Sequence, residues 1–249
     1  IAQNIGLEFF SSPFDSTAVD FLEKMNVDAY KIASLEIVDI PLIEYAASKG
    51  KPMIIATGIA NETDIEEAVT ACKRLGNENI ILLKCTSTYP TPFEDMNLFT
   101  IPDMQKRFNA ITGLSDHSLG ITAAITSIAL GAKVIEKHFI LDRNLGGPDV
   151  AFSLNPDEFS LMVKSVREAE KALGKVSYEL NEQVEKSREH ARSLFIVEDI
   201  KKGEELTPLN LRSIRPGYGL PPKYYKSVLG KKAIKDLKKG TPLAWDLIQ

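Results

Sequence analysis

The sequence predicts an α/β protein of parallel strand–helix units followed by a small β-rich domain, and three observations carry that prediction. Short β-rich runs alternate with helix-periodic stretches through residues 1–174. Polar residues gather just after these runs. Beyond residue 192 the pattern changes to short apolar runs broken by Gly and Pro turns. Strands alternating with helices pack as parallel units, in a doubly wound sheet or in a barrel. A complete eight-unit barrel takes about 250 residues, or about 31 per unit, so residues 1–174 hold between five and six units. No G-x-G-x-x-G follows any run, which weighs against the dinucleotide-binding alternative. The expected architecture is a (β/α)8 barrel lacking its first two units over 1–174, a linker over 175–190 and a second domain over 191–249.

The elements follow in order. Strand-like runs occupy 7–10, 29–33 and 53–56. The capping box Thr63-Asp-Ile-Glu66 then opens a helix whose apolar stripe is Ile65, Ala68, Val69, Cys72 and Leu75. Further strand-like runs occupy 80–85, 110–113 and 134–139. Asn155, Pro156 and Glu158 start a helix that stops at Gly174. Residues 175–190 are polar and helical without an apolar stripe. After them, 193–197 and the turns Lys202-Gly203, Pro216-Gly217, Pro221-Pro222 and Lys239-Gly240 outline a domain near the lower size limit for independent stability.

Composition bounds the function. Of 249 residues 44% are hydrophobic and 26% charged, and Gly, Pro and Cys are not enriched, which excludes collagen-like, disulfide-scaffold and disordered chains. Cys72 and Cys85 lie in apolar segments and read as small core residues, fitting a reducing compartment. No apolar run approaches a membrane span and no signal-peptide pattern opens the chain, so a cytoplasmic protein without a membrane partner is expected. The chain begins at Ile1 in a structured-looking segment and is expected to be a fragment. Residues 1–190 carry 18 Lys and Arg against 28 Asp and Glu, whereas residues 191–249 carry 12 against 6. The basic tail lacks interleaved aromatics, so an acidic protein surface fits it better than a nucleic acid.

Candidate chemistry sits after the runs. His117 and His138 close neighbouring strand-like segments, Gly113-Leu-Ser-Asp-His117 and Ile135-Glu-Lys-His138, so both imidazoles are expected in one barrel mouth, suited to a divalent metal, the alternative being two satisfied core histidines. Lys31 stands in an apolar strand, where burial is costly unless it faces an anion such as phosphate or carboxylate. Ser12, Ser34, Ser87 and Ser115 are possible neutral donors around that anion. Lys84 either joins them or pairs with an acidic neighbour. Glu36 and Glu136 are candidate acid/base groups or partners that orient a ligating histidine. The loop Leu145-Gly-Gly-Pro-Asp149 is expected either to place Asp149 over the mouth as a ligand of sugar hydroxyls or to be a plain β-turn.

Together these segments resemble the sialic acid synthase family, which joins phosphoenolpyruvate to an amino sugar. The resemblance rests on Phe9-Phe-Ser-Ser-Pro-Phe14, Lys31-Ile-Ala-Ser34, Cys85-Thr-Ser-Thr-Tyr-Pro-Thr-Pro92, Gly113-Leu-Ser-Asp-His117, Ile135-Glu-Lys-His-Phe139 and Gly147-Pro-Asp149. Leu211-Arg-Ser-Ile-Arg-Pro-Gly217 resembles that family's SAF (antifreeze-like) domain. Gly-Gly-Pro-Asp followed by Val150 looks closer to pseudaminic acid synthases, since sialic acid synthases usually have His at that position.

The resemblance implies His117 and His138 as ligands of Mn²⁺ or Mg²⁺, and Ser12, Lys31, Ser34, Ser115 and, less directly, Ser87 as phosphoenolpyruvate contacts. It implies Glu36 as a carboxylate near metal and substrate and Asp149 as a sugar ligand. Arg215 is implied to reach the sugar's N-acetyl group from the partner subunit of a domain-swapped homodimer. The implied reaction is a metal-dependent condensation with a sugar of the 2,4-diacetamido-2,4,6-trideoxy-altrose type, giving pseudaminic acid and phosphate. The family's catalytic glutamate and a second phosphate-binding lysine belong to the first two barrel units, so this chain alone is expected to be inactive. Alternatives are an N-acetylneuraminate or legionaminic acid synthase, a metal-dependent aldolase or isomerase acting on a sugar phosphate, and a non-catalytic sugar- or ice-binding SAF protein.

Overall fold

The computed structural model describes all 249 residues, Ile1–Gln249, in two compact units, Ile1–Gly174 and Lys175–Gln249. The first holds a parallel sheet of five strands in sequential order: β1 (Tyr30–Ile32), β2 (Met53–Ala56), β3 (Ile80–Lys84), β4 (Ile111–Asp116) and β5 (Val134–Lys137). Six helices accompany it: α1 (Ser16–Lys24), α2 (Ile40–Ala47), α3 (Glu62–Arg74), α4 (Thr100–Phe108), α5 (Thr122–Ala129) and α6 (Pro156–Leu173). Strand order that never reverses is barrel winding rather than double winding. The result is the expected partial barrel, a half-barrel sheet with β1 and β5 at its margins.

Side-chain alternation divides the strand residues between a helix-facing and an inward face. Tyr30, Ile32, Met53, Ile55, Ile80 and Leu82 point toward the helices and pack with residues such as Val19, Ile43, Ala68 and Met104. Ala29, Ile54, Ala56, Leu83 and Cys85 form the opposite, inward face, joined by Ile81 and Val134. Because the strands are parallel, all their C-terminal ends lie on one side. The inward residues there are no longer apolar, and that change of chemistry locates the site.

Three local expectations shift. Residues 7–10 form no strand; only Ser11 bridges to Tyr30, through a Lys31 N–H to Ser11 carbonyl bond of 3.3 Å. One ladder bond does not order a strand. Helix α3 starts earlier than the expected capping box, because Asn61 Oδ1 accepts from the Thr63 and Asp64 N–H groups and Asp64 returns a bond to the Asn61 N–H. Strand β4 runs on to Asp116, so Ser115 and Asp116 are strand residues with fixed and opposite facing.

In the second unit, residues 175–190 are exposed throughout and contain α7 (Glu182–Arg188), capped by Asn181. Strands β6 (Ser193–Ile196) and β7 (Leu211–Ile214) pair antiparallel with Ser193 opposite Ile214. Leu194, Ile196, Leu206, Leu211, Val228 and Leu243 form this unit's own core. The short helix α8 (Tyr225–Val228) contributes Val228.

Candidate active site

Lys31 is the first inward polar residue, 8% exposed. Its Nζ lies 3.4 Å from Glu136 Oε2, and Ser115 Oγ donates to Glu136 Oε1 at 2.6 Å. Register explains the second contact, since Ser115 and Glu136 are direct neighbours on β4 and β5. The buried lysine therefore has a protein carboxylate as partner, where the sequence alone suggested a ligand anion. An ammonium has three donors, so Lys31 keeps N–H groups for a ligand.

Ser34, the loop after β2 and the end of β3 form a polar recess. Ser34 Oγ accepts the Gly58 N–H at 3.1 Å and donates toward Cys85 Sγ at 3.4 Å. Ser87 Oγ is buried without any partner. A Cβ on residue 58 would clash with Ser87 Oγ and stand 2.6 Å from Ser34 Oγ, so only glycine lets this backbone approach the hydroxyls. An unpaired buried hydroxyl is costly, and an anion accepting from it would satisfy it.

The two histidines converge, with ring centroids 5.2 Å apart and the rings edge to face. His117 is 6% exposed and its Nδ1 lies 3.2 Å from the Thr86 carbonyl. A carbonyl only accepts, so in the neutral ring Nδ1 carries the proton and Nε2 keeps its lone pair. His138 Nδ1 faces Asp149 Oδ2 at 3.5 Å, which orients that ring in the same sense. The orienting partners are thus Thr86 and Asp149, while Glu136 is engaged by Lys31 and Ser115. Tyr89 lies over His117 at 4.2 Å between centroids, and buried Phe152 stands 4.9 Å from His138. These rings wall the imidazoles on one side.

Burial pushes the His138 imidazole below its ordinary pKa, and the neighbouring His117 adds to the shift. Burial acts the same way on His117, but contacts with Cys85, Thr86 and Glu136 outweigh it and hold that group above its ordinary value. The Cys85 thiol is raised by burial yet ends below its usual value because His117 and Ser34 hydrogen-bond it.

The donor set suits a divalent ion. Two imidazole nitrogens with free lone pairs can ligate a divalent transition metal, and no third His, Cys, Asp or Glu closes a cluster around them. Such a pair leaves coordination positions for substrate and water, as catalytic sites require. Glu36 lies in the turn Ser34–Val38 and has a buried Oε2 with no hydrogen-bond partner.

Lys31, Ser34, Ser87, Ser115, His117, His138 and Asp149 are brought to one end of the half-barrel. Ser12 is half-buried, one residue past the Ser11–Tyr30 bridge beside β1. Arg215 is exposed at the end of β7 in the second unit. Lys84 does neither thing expected of it: it donates to the Cys85 carbonyl at 2.7 Å and to Thr86 Oγ1 at 3.3 Å. Its alternation places it on the helix-facing side of β3.

Residues 1–178 match the model of the NeuB family, and residues 191–249 match that of the SAF domain. The chain belongs to the NeuB family. It is 49% identical over 242 residues to a pseudaminic acid synthase of Campylobacter jejuni, spanning 97% of this chain and 71% of that protein. It is 46% identical over 250 residues to a pseudaminic acid synthase of Helicobacter pylori, covering 100% of this chain and 74% of the relative. Among solved structures, the spore coat polysaccharide biosynthesis protein SpsE of Bacillus subtilis superposes with a TM-score of 0.67 at 35% identity, over 100% of this chain and 75% of that one.

Beyond the resemblance, this NeuB-family site contains residues that sequence reading passed over. Cys85, which the sequence places in the core, lies on the site floor 3.8 Å from His117 Nδ1. The inward series Ile81, Leu83, Cys85 was a usable signal for it. Gly58 and Phe152 carried no signal, because their importance lies in contacts between distant segments.

Proposed function

We propose that this protein condenses phosphoenolpyruvate with an amino sugar of the 2,4-diacetamido-2,4,6-trideoxy-altrose type, giving pseudaminic acid and inorganic phosphate. One observation carries the reading: anion donors (Lys31, Ser34, Ser87, Ser115) and two imidazoles with free Nε2 atoms lie at the same strand ends. The choice of sugar rests on the pseudaminic acid synthases at 46% and 49% identity and on Val150 after Asp149.

In this reading Lys31, Ser87 and Ser12 hold the phosphate and carboxylate of phosphoenolpyruvate, Ser34 and Ser115 join them by turning their single O–H groups from Cys85 and Glu136, and Glu136 keeps Lys31 Nζ in place. Holding both reactants makes attack effectively intramolecular. His117 and His138 are the residues that would hold Mn²⁺ or Mg²⁺, and a bound ion would supply Lewis-acid polarisation of the sugar's aldehyde oxygen. C3 of phosphoenolpyruvate forms the new bond to the aldehyde carbon, water adds at C2, and cleavage of the C2–O bond releases phosphate and leaves the 2-keto acid. Glu36, with its free buried oxygen, takes the proton from that water. Asp149 binds a sugar hydroxyl. Arg215, from the SAF domain of a second copy in a domain-swapped homodimer, binds the N-acetyl group.

The test is product analysis of the full-length protein with phosphoenolpyruvate, Mn²⁺ and a panel of 2-acetamido and 2,4-diacetamido sugars, since this chain alone is expected to be inactive. Phosphate release coupled to a nine-carbon acid from the diacetamido sugar is expected. Turnover only with N-acetylmannosamine would move the protein to the N-acetylneuraminate synthases. Turnover of a sugar phosphate without phosphoenolpyruvate would make it an aldolase or isomerase.

A further inference from the structure

Behind the two imidazoles lies a second pair of charges that the proposed chemistry does not use. Asp116 and Lys137 immediately precede His117 and His138 and stand directly opposite each other in the β4–β5 register. Alternation turns them to the face opposite the histidines. There both side chains are 0% exposed, with Lys137 Nζ 2.9 Å from Asp116 Oδ2. Every bond to this pair is local. Asp116 Oδ1 accepts from the Ser118 N–H at 2.8 Å and from Ser118 Oγ at 2.7 Å, and Lys137 Nζ also donates to the Ser118 carbonyl.

A buried ion pair is a poor source of stability, since apolar residues of similar volume are often as good or better in its place. What this pair does provide is registration. The β4–β5 ladder ends at Asp116 opposite Lys137, one residue short of the histidines. Past it the backbones separate: the His117 carbonyl accepts from the Thr91 N–H and the His138 carbonyl from the Leu154 N–H. No backbone bond links the two histidines. The ion pair and its bonds to Ser118 are the last connection between the strands, and they hold His117 from both sides, at residues 116 and 118.

We propose that Asp116, Lys137 and Ser118 form a register clamp that sets the His117–His138 spacing for a shared divalent ion. The inference rests on the reading of those histidines as metal ligands. Asp116 and Lys137 are positioning residues, acting on the ion only through the rings they hold.

The test is calorimetric titration of Mn²⁺ into the metal-free protein, with thermal unfolding followed in parallel. Asp116→Asn/Lys137→Met leaves the net charge unchanged and keeps an acceptor for the Ser118 N–H. It is expected to remain folded and to bind Mn²⁺ at least about 10-fold more weakly, the scale of lost support around a metal ligand. Lys137→Met alone adds a test of sign. Removing a nearby positive charge would tighten Mn²⁺ binding if the pair acted only through its field, whereas loss of the clamp weakens it. Unchanged affinity in the folded double variant, tighter binding by Lys137→Met, or failure of both variants to fold would each overturn the clamp. His117→Ala serves as the control: Mn²⁺ binding unaffected by it, or absent from the unaltered protein, would remove the ligand reading itself.

Discussion

Gly58→Ala adds one methyl group at the floor of the site, and its effect follows from the surrounding distances. The new Cβ would clash with Ser87 Oγ and stand 2.6 Å from Ser34 Oγ and 3.0 Å from Cys85 Sγ. Residue 58 does not use a left-handed backbone, so alanine adds no torsional strain there. The two hydroxyls are the mobile atoms and must turn aside, breaking the Gly58 N–H to Ser34 bond of 3.1 Å. Two donors lost to a ligand, at about 1 kcal/mol each, amount to about 2 kcal/mol, or roughly 30-fold in affinity. Overpacking adds a stability cost of about 1–3 kcal/mol, since no cavity is present to take the methyl group. Calorimetric titration of phosphoenolpyruvate, with the melting temperature measured on the same samples, separates the two effects. A folded Gly58→Ala protein that binds phosphoenolpyruvate as tightly as the parent would refute the placement of Ser34 and Ser87 against that ligand.

Three further outcomes are expected. In the metal-free protein, NMR titration should find His117 above and His138 below the ordinary value of 6.5. His138, with its lowered folded-state value, contributes stability that is present above pH 6.5 and lost as pH falls through that value; His117, raised, contributes below 6.5 and loses it as pH rises. The reverse order of titration would contradict the site electrostatics. Leu82→Ala empties a fully buried position in the helix-facing core and should cost about 2–5 kcal/mol in denaturant unfolding, with a loss under about 1 kcal/mol contradicting the packing. In the full-length protein, Arg215→Ala should raise the KM for the amino sugar more than that for phosphoenolpyruvate, and mixed dimers with His117→Ala subunits should recover activity if Arg215 acts in trans; no recovery would rule that out.

Periodicity made most of the first unit legible. The run 53–56 coincides with β2, and 80–85, 29–33 and 134–139 overlap their strands to within two residues at either end. The run 7–10 misled because apolar alternation creates a strand only where a neighbour offers a ladder, and here Ser11 alone pairs with Tyr30. Lys31 shows how far the site could be read. Its burial in an apolar strand signalled a compensating negative charge, but whether that charge was ligand or protein depended on β5 lying four strands away in the sheet, with Glu136 turned inward. Lys84 stands in a similar run, yet alternation sends it to the other face. The ion pair of Asp116 and Lys137 was present in both histidine motifs and invisible as a pair, since only the β4–β5 register brings the residues together.

Crystals of the protein grown with Mn²⁺ and phosphoenolpyruvate, measured at the manganese absorption edge, test the central claim most directly. An anomalous peak within ligand distance of Nε2 of both His117 and His138 is expected, with phosphoenolpyruvate lying on the inward face against Lys31, Ser34 and Ser115. A manganese peak that touches neither histidine, or phosphoenolpyruvate bound away from those strand ends, would contradict the account.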